Sequence, residues 1–418
     1  MKAVTATLAR LLTISGLGCE PVAQVAHNSD ACGKRFPHVP ASGSLGDPVP
    51  PSQRTPGYLH TKGRNIVDHL GQRVKFTGVN WFGLETRSFA PHGLWARSLE
   101  SMLDQMVRLG YNSIRLPFST QLLDPDIFPP DGTIDFVHNP DLVGLTGLEI
   151  MDRVVEEAGR RGLMVLLDRH ATYAASFDAG PARCGSEGIW WVEDYPEERW
   201  IRDFEFLAQR YLGQTAVIGF DVQNEPREDS TWGDDVLETD FRLAAERAGN
   251  AILAANPELL VVVEGIVMGE DPRLEYNWSW YGENLLGVRD FPVRLGVPDQ
   301  LVYSIHDYPQ SVSPQPWFES EDYPANLRLI WDVLFGYIFQ EDMAPVLVGE
   351  FGSRLATEVD RIWFIEFIDY LTEHDLDFTV WSWNADSSDT GGVLLDDWMT
   401  VRSEFHDPIA PLLVPVSR

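Results

Sequence analysis

Between Val217 and Pro226 the chain reads VIGFDVQNEP, an apolar run that turns polar within a few residues. Val217, Ile218, Phe220 and Val222 suit a buried strand, and Pro226, with no N–H to donate, ends it. An amide and a carboxylate, Asn224 and Glu225, are thereby left at the carboxyl end of that strand. The run from Pro345 to Gly352, PVLVGEFG, delivers Glu350 in the same way.

The same rhythm recurs along the chain. Apolar strand candidates lie at 74–80, 111–117, 163–170, 217–226, 259–265, 301–308, 345–351 and 378–384. Helical patterns fall between most of them, over Ser98–Leu109, Leu148–Arg161, Glu198–Tyr211, Asp240–Ala255, Asn326–Gln340 and Glu358–Leu371. Leu148, Met151, Val154, Val155 and Ala158 share one helix face. Gly110 and Gly162 stand where helices should stop. Eight strands alternating with helices predict an α/β fold, a (β/α)8 TIM barrel with enlarged βα loops. A doubly wound sheet is the alternative, but it gives no reason for polar residues at the end of nearly every strand.

A barrel brings the carboxyl ends of its strands to one pocket. Those ends carry Asn80 and Trp81, Arg115, His170, Asn224 and Glu225, Glu264, His306 and Tyr308, Glu350, and Trp381. Each has a plain explanation by itself: a strand histidine is usually a satisfied core residue, Arg115 could pair with Asp168, and Glu264 has no obvious partner and suits a structural role. Together they match the needs of glycoside hydrolysis, in which one carboxylic acid protonates the leaving oxygen and an ionised carboxylate attacks the anomeric carbon. A like charge nearby would keep the first protonated, while Arg115 and Tyr308 would hold the second ionised. Asn224 can donate to a sugar 2-hydroxyl. Trp81, Trp190, Trp280 and Trp381, on or just after strand ends, are candidate platforms for sugar rings.

Composition narrows the partners. With 63 acidic against 32 basic residues the formal charge is −31, which argues against nucleic acid or an anionic membrane and for a neutral substrate. Lysine occurs only at Lys2, Lys34, Lys62 and Lys75, a bias shared by salt-adapted proteins and by GC-rich coding. Cys19, Cys32 and Cys184 form no metal-binding motif, so no structural zinc site is expected, and Cys19 and Cys32 could pair. The strand-end residues match no metal motif either, so no catalytic metal and no cofactor is expected, while acidic loops such as Asp386–Asp389 could hold a remote Ca²⁺. No apolar stretch reaches the ~20 residues of a membrane span. Residues 1–55 form a separate N-terminal segment, a poor signal-peptide pattern followed by a Pro/Ser/Gly-rich linker, with residues 56–418 as the catalytic domain. Cys19 after Gly18 also suits a lipidation site, although Gly16 stands where such sites carry Leu. Secretion and a monomeric state are expected.

From Tyr58 to Pro411 the sequence resembles glycoside hydrolase family 5, the cellulase family of clan A, in the segments GVNWFGLET, HGLW, YNSIRLP, LLDRH, DVQNEP, VEG, YSIHDY, LVGEFG and WSWNADSSDTGG. It looks most like the bacterial endo-β-1,4-glucanases. The resemblance implies Glu225 as acid/base and Glu350 as nucleophile, with Arg115, His170, Asn224, His306, Tyr308 and Trp381 completing the pocket and a β-glucan as substrate. Relatives in this subgroup carry a Cys where Arg87 stands, so their bridge to a Cys near position 184 cannot form here; the loop at Trp232–Asp235 also lacks a Cys pair common in them. The motifs fix mechanism better than substrate. A β-mannanase, a xyloglucanase or an exo-β-glucosidase shares them, and a non-catalytic glycan-binding barrel would have lost Glu225 or Glu350.

Overall fold

A computed structural model describes residues 54–174, 189–227, 230–267, 273–274 and 279–416. Cys19, Cys32 and Cys184, and nearly all of the expected N-terminal segment, lie outside them. The described chain opens with a small antiparallel hairpin, β1 His60–Lys62 and β2 Asn65–Val67. Eight parallel strands follow: β3 Thr77–Asn80, β4 Ser113–Ser119, β5 Met164–Ala171, β6 Val217–Asp221, β7 Leu260–Glu264, β8 Leu301–Asp307, β9 Val346–Phe351 and β10 Asp377–Val380. They close in chain order, β10 pairing with β3, which is the expected (β/α)8 barrel.

The helices wrap the outside. They are α1 Leu99–Leu109, α2 Gly147–Arg160, α3 Glu197–Arg210, α4 Phe241–Ala255, α5 Leu327–Trp331, α6 Tyr337–Gln340, α7 Glu358–His374 and α8 Ser403–Ile409. Their starts are set locally. Ser98 caps α1, Thr146 and Glu149 form a capping box on α2, and Thr357 and Asp360 do so on α7. Gly110, at φ 99°, ends α1 in the left-handed conformation expected of it, and Gly162, at φ 76°, follows α2. The helix expected over Asn326–Gln340 is broken into α5 and α6 by a π-helical turn at Asp332–Gly336. Between β7 and β8 the described residues hold a short 3-10 turn, Leu286–Arg289, and no α-helix.

Strand alternation sorts side chains between two environments. On β7, Val261 and Val263 belong to the large core under the helices, whereas Leu260 and Val262 line the barrel interior and Glu264 follows them at its upper end. On β5, Val165 and Leu167 face the helices, Leu166 faces the interior, and Asp168 and His170 continue the inward row. Apolar side chains fill most of the lower interior. Leu59 and Ile66 of the hairpin region pack there with Leu166, Ile218, Leu260, Val262, Val302 and Leu347, closing the amino-terminal end. The carboxyl-terminal end is left as the place where buried polar groups gather.

Candidate active site

The centre of that end is the Arg115 guanidinium, fully buried on β4. It donates through Nε to Asp221 Oδ2 at 3.0 Å, through Nη1 to Asn80 Oδ1 at 3.0 Å and Glu350 Oε1 at 2.6 Å, and through Nη2 to Asn224 Oδ1 at 3.0 Å and Glu264 Oε1 at 2.9 Å. Asp168 Oδ1 lies 3.1 Å from Nη2. One cation thus faces four carboxyl groups. Burial and the neighbouring Glu264 push the Asp221 carboxyl well above the usual range, while Arg115 opposes the shift.

Glu350 ends β9 and is 3% exposed. Besides Arg115 it accepts from Tyr308 Oη at 2.7 Å. Glu225 lies just beyond β6 and is 7% exposed; its Oε1 is 3.1 Å from His306 Nδ1, and its Oε2 accepts from Arg227 Nη2 at 3.3 Å. The Arg227 guanidinium also lies 4.4 Å from the centre of the Tyr281 ring. His306 Nδ1 is 3.4 Å from Glu350 Oε2 as well, so one imidazole bridges the two glutamates. An oxygen of Glu225 and an oxygen of Glu350 lie within 4.8 Å of each other, although 125 residues separate them in the chain (350 − 225). His170 Nδ1 is 2.7 Å from Asp168 Oδ2, and its ring stacks on Trp381 at 5.4 Å and 11°, while Phe82 also stacks on Trp381 at 5.4 Å and 16°. Trp280 is half-buried and joins Phe82, Tyr308 and Trp381 in one apolar cluster beside the carboxylates.

Two expectations are corrected here. Trp81 and Trp190 have no exposed surface and belong to the core under the helices. Asn80 turns inward to Arg115, so Trp81, one residue on, points outward, its indole N–H bonding to the His92 carbonyl at 3.0 Å. Trp190 donates to Glu197 and packs on Trp200 and Phe241. Neither can stack on a sugar.

The second correction concerns protons. Burial pushes Glu350 up, and His306 and Arg115 do not fully offset it, because Arg115 is shared among four acids. Burial also pushes Glu225 up, but its hydrogen bond to His306, the imidazolium charge and Arg227 outweigh that and hold it below the ordinary value. This order is the reverse of the one expected from the strand ends. His306 itself is held well above its ordinary value: burial opposes its charge, while Glu264, Glu350 and Glu225 favour it. The two glutamates and His306 therefore titrate as one unit.

Glu264, for which the sequence offers no obvious partner, has three, in Arg115, His306 and the backbone of Glu225. Asp221 was not singled out at all. The signal for both was an acid inside an apolar strand. Three acid-rich groups among the described residues have metal-ligand spacing, namely Asp168–His170–Glu350, Glu225–His306–Glu350 and Asp168–Asp221–Glu264. All are built from the side chains just described, whose carboxyl groups each already bond to Arg115, His306, His170 or Tyr308 through at least one oxygen.

A closed eight-stranded barrel with carboxylates gathered at one end suits a glycoside hydrolase, and the comparisons agree. The chain belongs to the cellulase family, glycosyl hydrolase family 5, whose model matches residues 67–387. It is 47% identical over 365 residues to an endoglucanase of Paenibacillus polymyxa, covering 86% of this chain and 88% of that protein. It is 37% identical over 351 residues to the major extracellular endoglucanase of Xanthomonas campestris pv. campestris, covering 83% of this chain and 69% of that one. An endocellulase from Pyrococcus horikoshii superposes with a TM-score of 0.78 at 38% identity, over 86% of this chain and 100% of the other, and a complex of that endocellulase with cellotetraose superposes equally well.

Arg115→Met is expected to destabilise the barrel by about 3–5 kcal/mol, the cost of leaving buried carboxylates without their cation. The urea midpoint should fall, and the deficit should shrink as pH drops toward 5 and the orphaned carboxyls take up protons. An unchanged midpoint at pH 8 would show that Arg115 is not what neutralises them.

Proposed function

We propose that this protein is a retaining endo-β-1,4-glucanase that cleaves internal bonds of soluble or amorphous β-glucan by double displacement. Glu350 is the nucleophile and Glu225 the acid/base. One observation carries the reading: an oxygen of each carboxyl group lies within 4.8 Å of the other, at the ends of two different strands of one barrel. Retaining enzymes hold such a pair about 5–5.5 Å apart, whereas inverting ones leave about 6.5–9.5 Å for a water molecule. The similarity to endoglucanases at 47% and 37% identity supports β-1,4-glucan as the substrate.

The roles follow from the donors around each group. Glu350 receives Arg115 and Tyr308, whose donors fix the oxygens and leave the carboxylate to attack the anomeric carbon. Glu225 protonates the departing oxygen and then takes a proton from the water that releases the glycosyl-enzyme. His306 and Arg227 hold the Glu225 carboxyl below its ordinary value in the free enzyme, so the acid step needs a proton delivered to it. His306 Nδ1, within 3.4 Å of both glutamates, provides the route. Asn224 has its amide oxygen on Arg115, which leaves the nitrogen to donate to the 2-hydroxyl. Trp381, which keeps some exposed surface beside His170 and Phe82, and the half-buried Trp280 are the ring surfaces nearest the carboxylates. No helix among the described residues is long and apolar enough to cross a membrane. We extend the reading to a secreted monomer whose catalytic domain begins near residue 56. Arg54 and Thr55, just before that point, are already tied to Asp299 and Glu258.

A panel of carboxymethylcellulose, barley β-glucan, galactomannan, xyloglucan and xylan tests the substrate. A rapid fall in viscosity is expected on the first two, with few reducing ends released. A preference for galactomannan, or release of glucose alone, would overturn it.

Product stereochemistry tests the roles. With an activated aryl cellobioside and azide, Glu225→Ala should give the β-glycosyl azide, formed from the glycosyl-enzyme. Glu350→Ala should give the α-azide, formed by direct attack. The opposite pairing would exchange the two assignments.

Arg227→Gln removes a charge that holds Glu225 down, so the pKa of Glu225 should rise. The alkaline limb of kcat/KM, where the acid loses its proton, should then move to higher pH. A limb that stays or moves down would show that Arg227 does not tune this group.

A further inference from the structure

We propose that Glu264 is a positioning residue for the acid/base, acting on Glu225 through the main chain and on His306 through its side chain. The inference rests on Glu225 being the acid/base. Glu264 is fully buried at the end of β7. Its Oε1 accepts from Arg115, but its Oε2 accepts the backbone N–H of Glu225 at 2.7 Å. That second bond distinguishes it from an acid that only balances Arg115, which Asp168, Asp221 and Glu350 already surround.

The backbone that receives this bond is unusual. Glu225 has φ +44°, in the left-handed region that non-glycine residues seldom occupy without something to hold them there. The backbone angle fixes where the side chain leaves the main chain, and a charge-assisted bond to the amide holds that angle. His306 is gripped from both sides: Nδ1 faces Glu225 at 3.1 Å, and Nε2 lies 3.2 Å from Glu264 Oε1, an ion-pair contact off the line of a hydrogen bond. The surroundings are shaped around the carboxylate. Position 282 is a glycine at φ +76°, where a Cβ would stand 2.6 Å from Glu264 Oε2. One carboxylate thus links the amide of Glu225, the imidazole that bonds to its side chain and the arginine that bonds to Glu350.

A positioning role predicts a defect confined to proton transfer. Glu264→Ala should lower kcat on cellopentaose by about 10²-fold, the usual worth of a positioned acid or base, with KM nearly unchanged. With 2,4-dinitrophenyl cellobioside the burst of phenolate should keep close to its wild-type rate, because that leaving group needs no acid. The later turnover should be slow and should recover with azide, giving the β-azide. Glu264→Gln keeps an oxygen for the Glu225 amide and should recover about tenfold of the kcat lost in the alanine variant. A loss of the same size on both substrates, or no loss on cellopentaose, would overturn the proposal.

The unmodified enzyme gives a check that needs no variant to fold: the Glu225 amide should be strongly protected in hydrogen exchange followed by NMR. Rapid exchange there would overturn the proposal too. Glu225→Ala, run alongside, separates the two levels. If it also fails to distinguish the leaving groups, the acid/base assignment falls. If it distinguishes them and the Glu264 variants do not, only the role of Glu264 falls.

Discussion

Everything at the upper end of this barrel depends on how one buried guanidinium is satisfied. Arg115 reaches side chains from five other strands or the loops that continue them: Asn80, Asp221 and Asn224, Glu264, Glu350, and Asp168. A planar fork with five N–H donors can address that many acceptors at fixed angles; an ammonium on a flexible stem could not. The acceptors sit on segments more than two hundred residues apart, so the ion cluster also reports that the ring has closed correctly. Its excess of negative charge raises the proton affinity of both Asp221 and His306.

That excess explains why the two central glutamates differ in an unexpected sense. An arginine near Glu350 suggests a firmly ionised group only if the arginine serves Glu350 alone. Here the same charge is divided among Asp168, Asp221, Glu264 and Glu350, while Glu225 has a histidine and a further arginine close by. In the substrate-free site the surroundings thus favour the ionised form more at Glu225 than at Glu350, and the imidazole between the glutamates is the group that touches both.

The barrel was largely legible from the chain because parallel strands buried on both faces leave unbroken apolar, β-branched runs, and all eight candidates overlap a barrel strand. The boundaries were less so. The run expected to reach Pro226 leaves the ladder after Asp221, where Gln223 and Asn224 turn to other partners. The hairpin strands have three residues each, too few to show a period, and α8 carries Pro408 inside seven residues. Strand-end residues could be collected because the fold fixes where they point. Trp81 was misplaced although the period of two, applied from Asn80, would have turned it into the core. The partners of Glu264 could not be read at all, since one is a backbone amide and the others stand on strands far away in the chain. The left-handed turn at Glu225 likewise has no signature in a residue type that rarely adopts it.

The apolar floor of the barrel bears on the order in which the chain can assemble. Leu59 and Ile66 are made early, yet they pack beneath Leu166, Ile218, Leu260, Val302 and Leu347, the last of them nearly three hundred residues downstream. During synthesis the stopper emerges long before the vessel it closes. The contacts joining it to the later strands have long sequence separations, the kind whose loop-closure entropy delays them. Until β9 and β10 arrive, the hairpin's apolar face and the unclosed edges of the growing sheet are exposed together, and that is the interval in which this chain most needs protection from association.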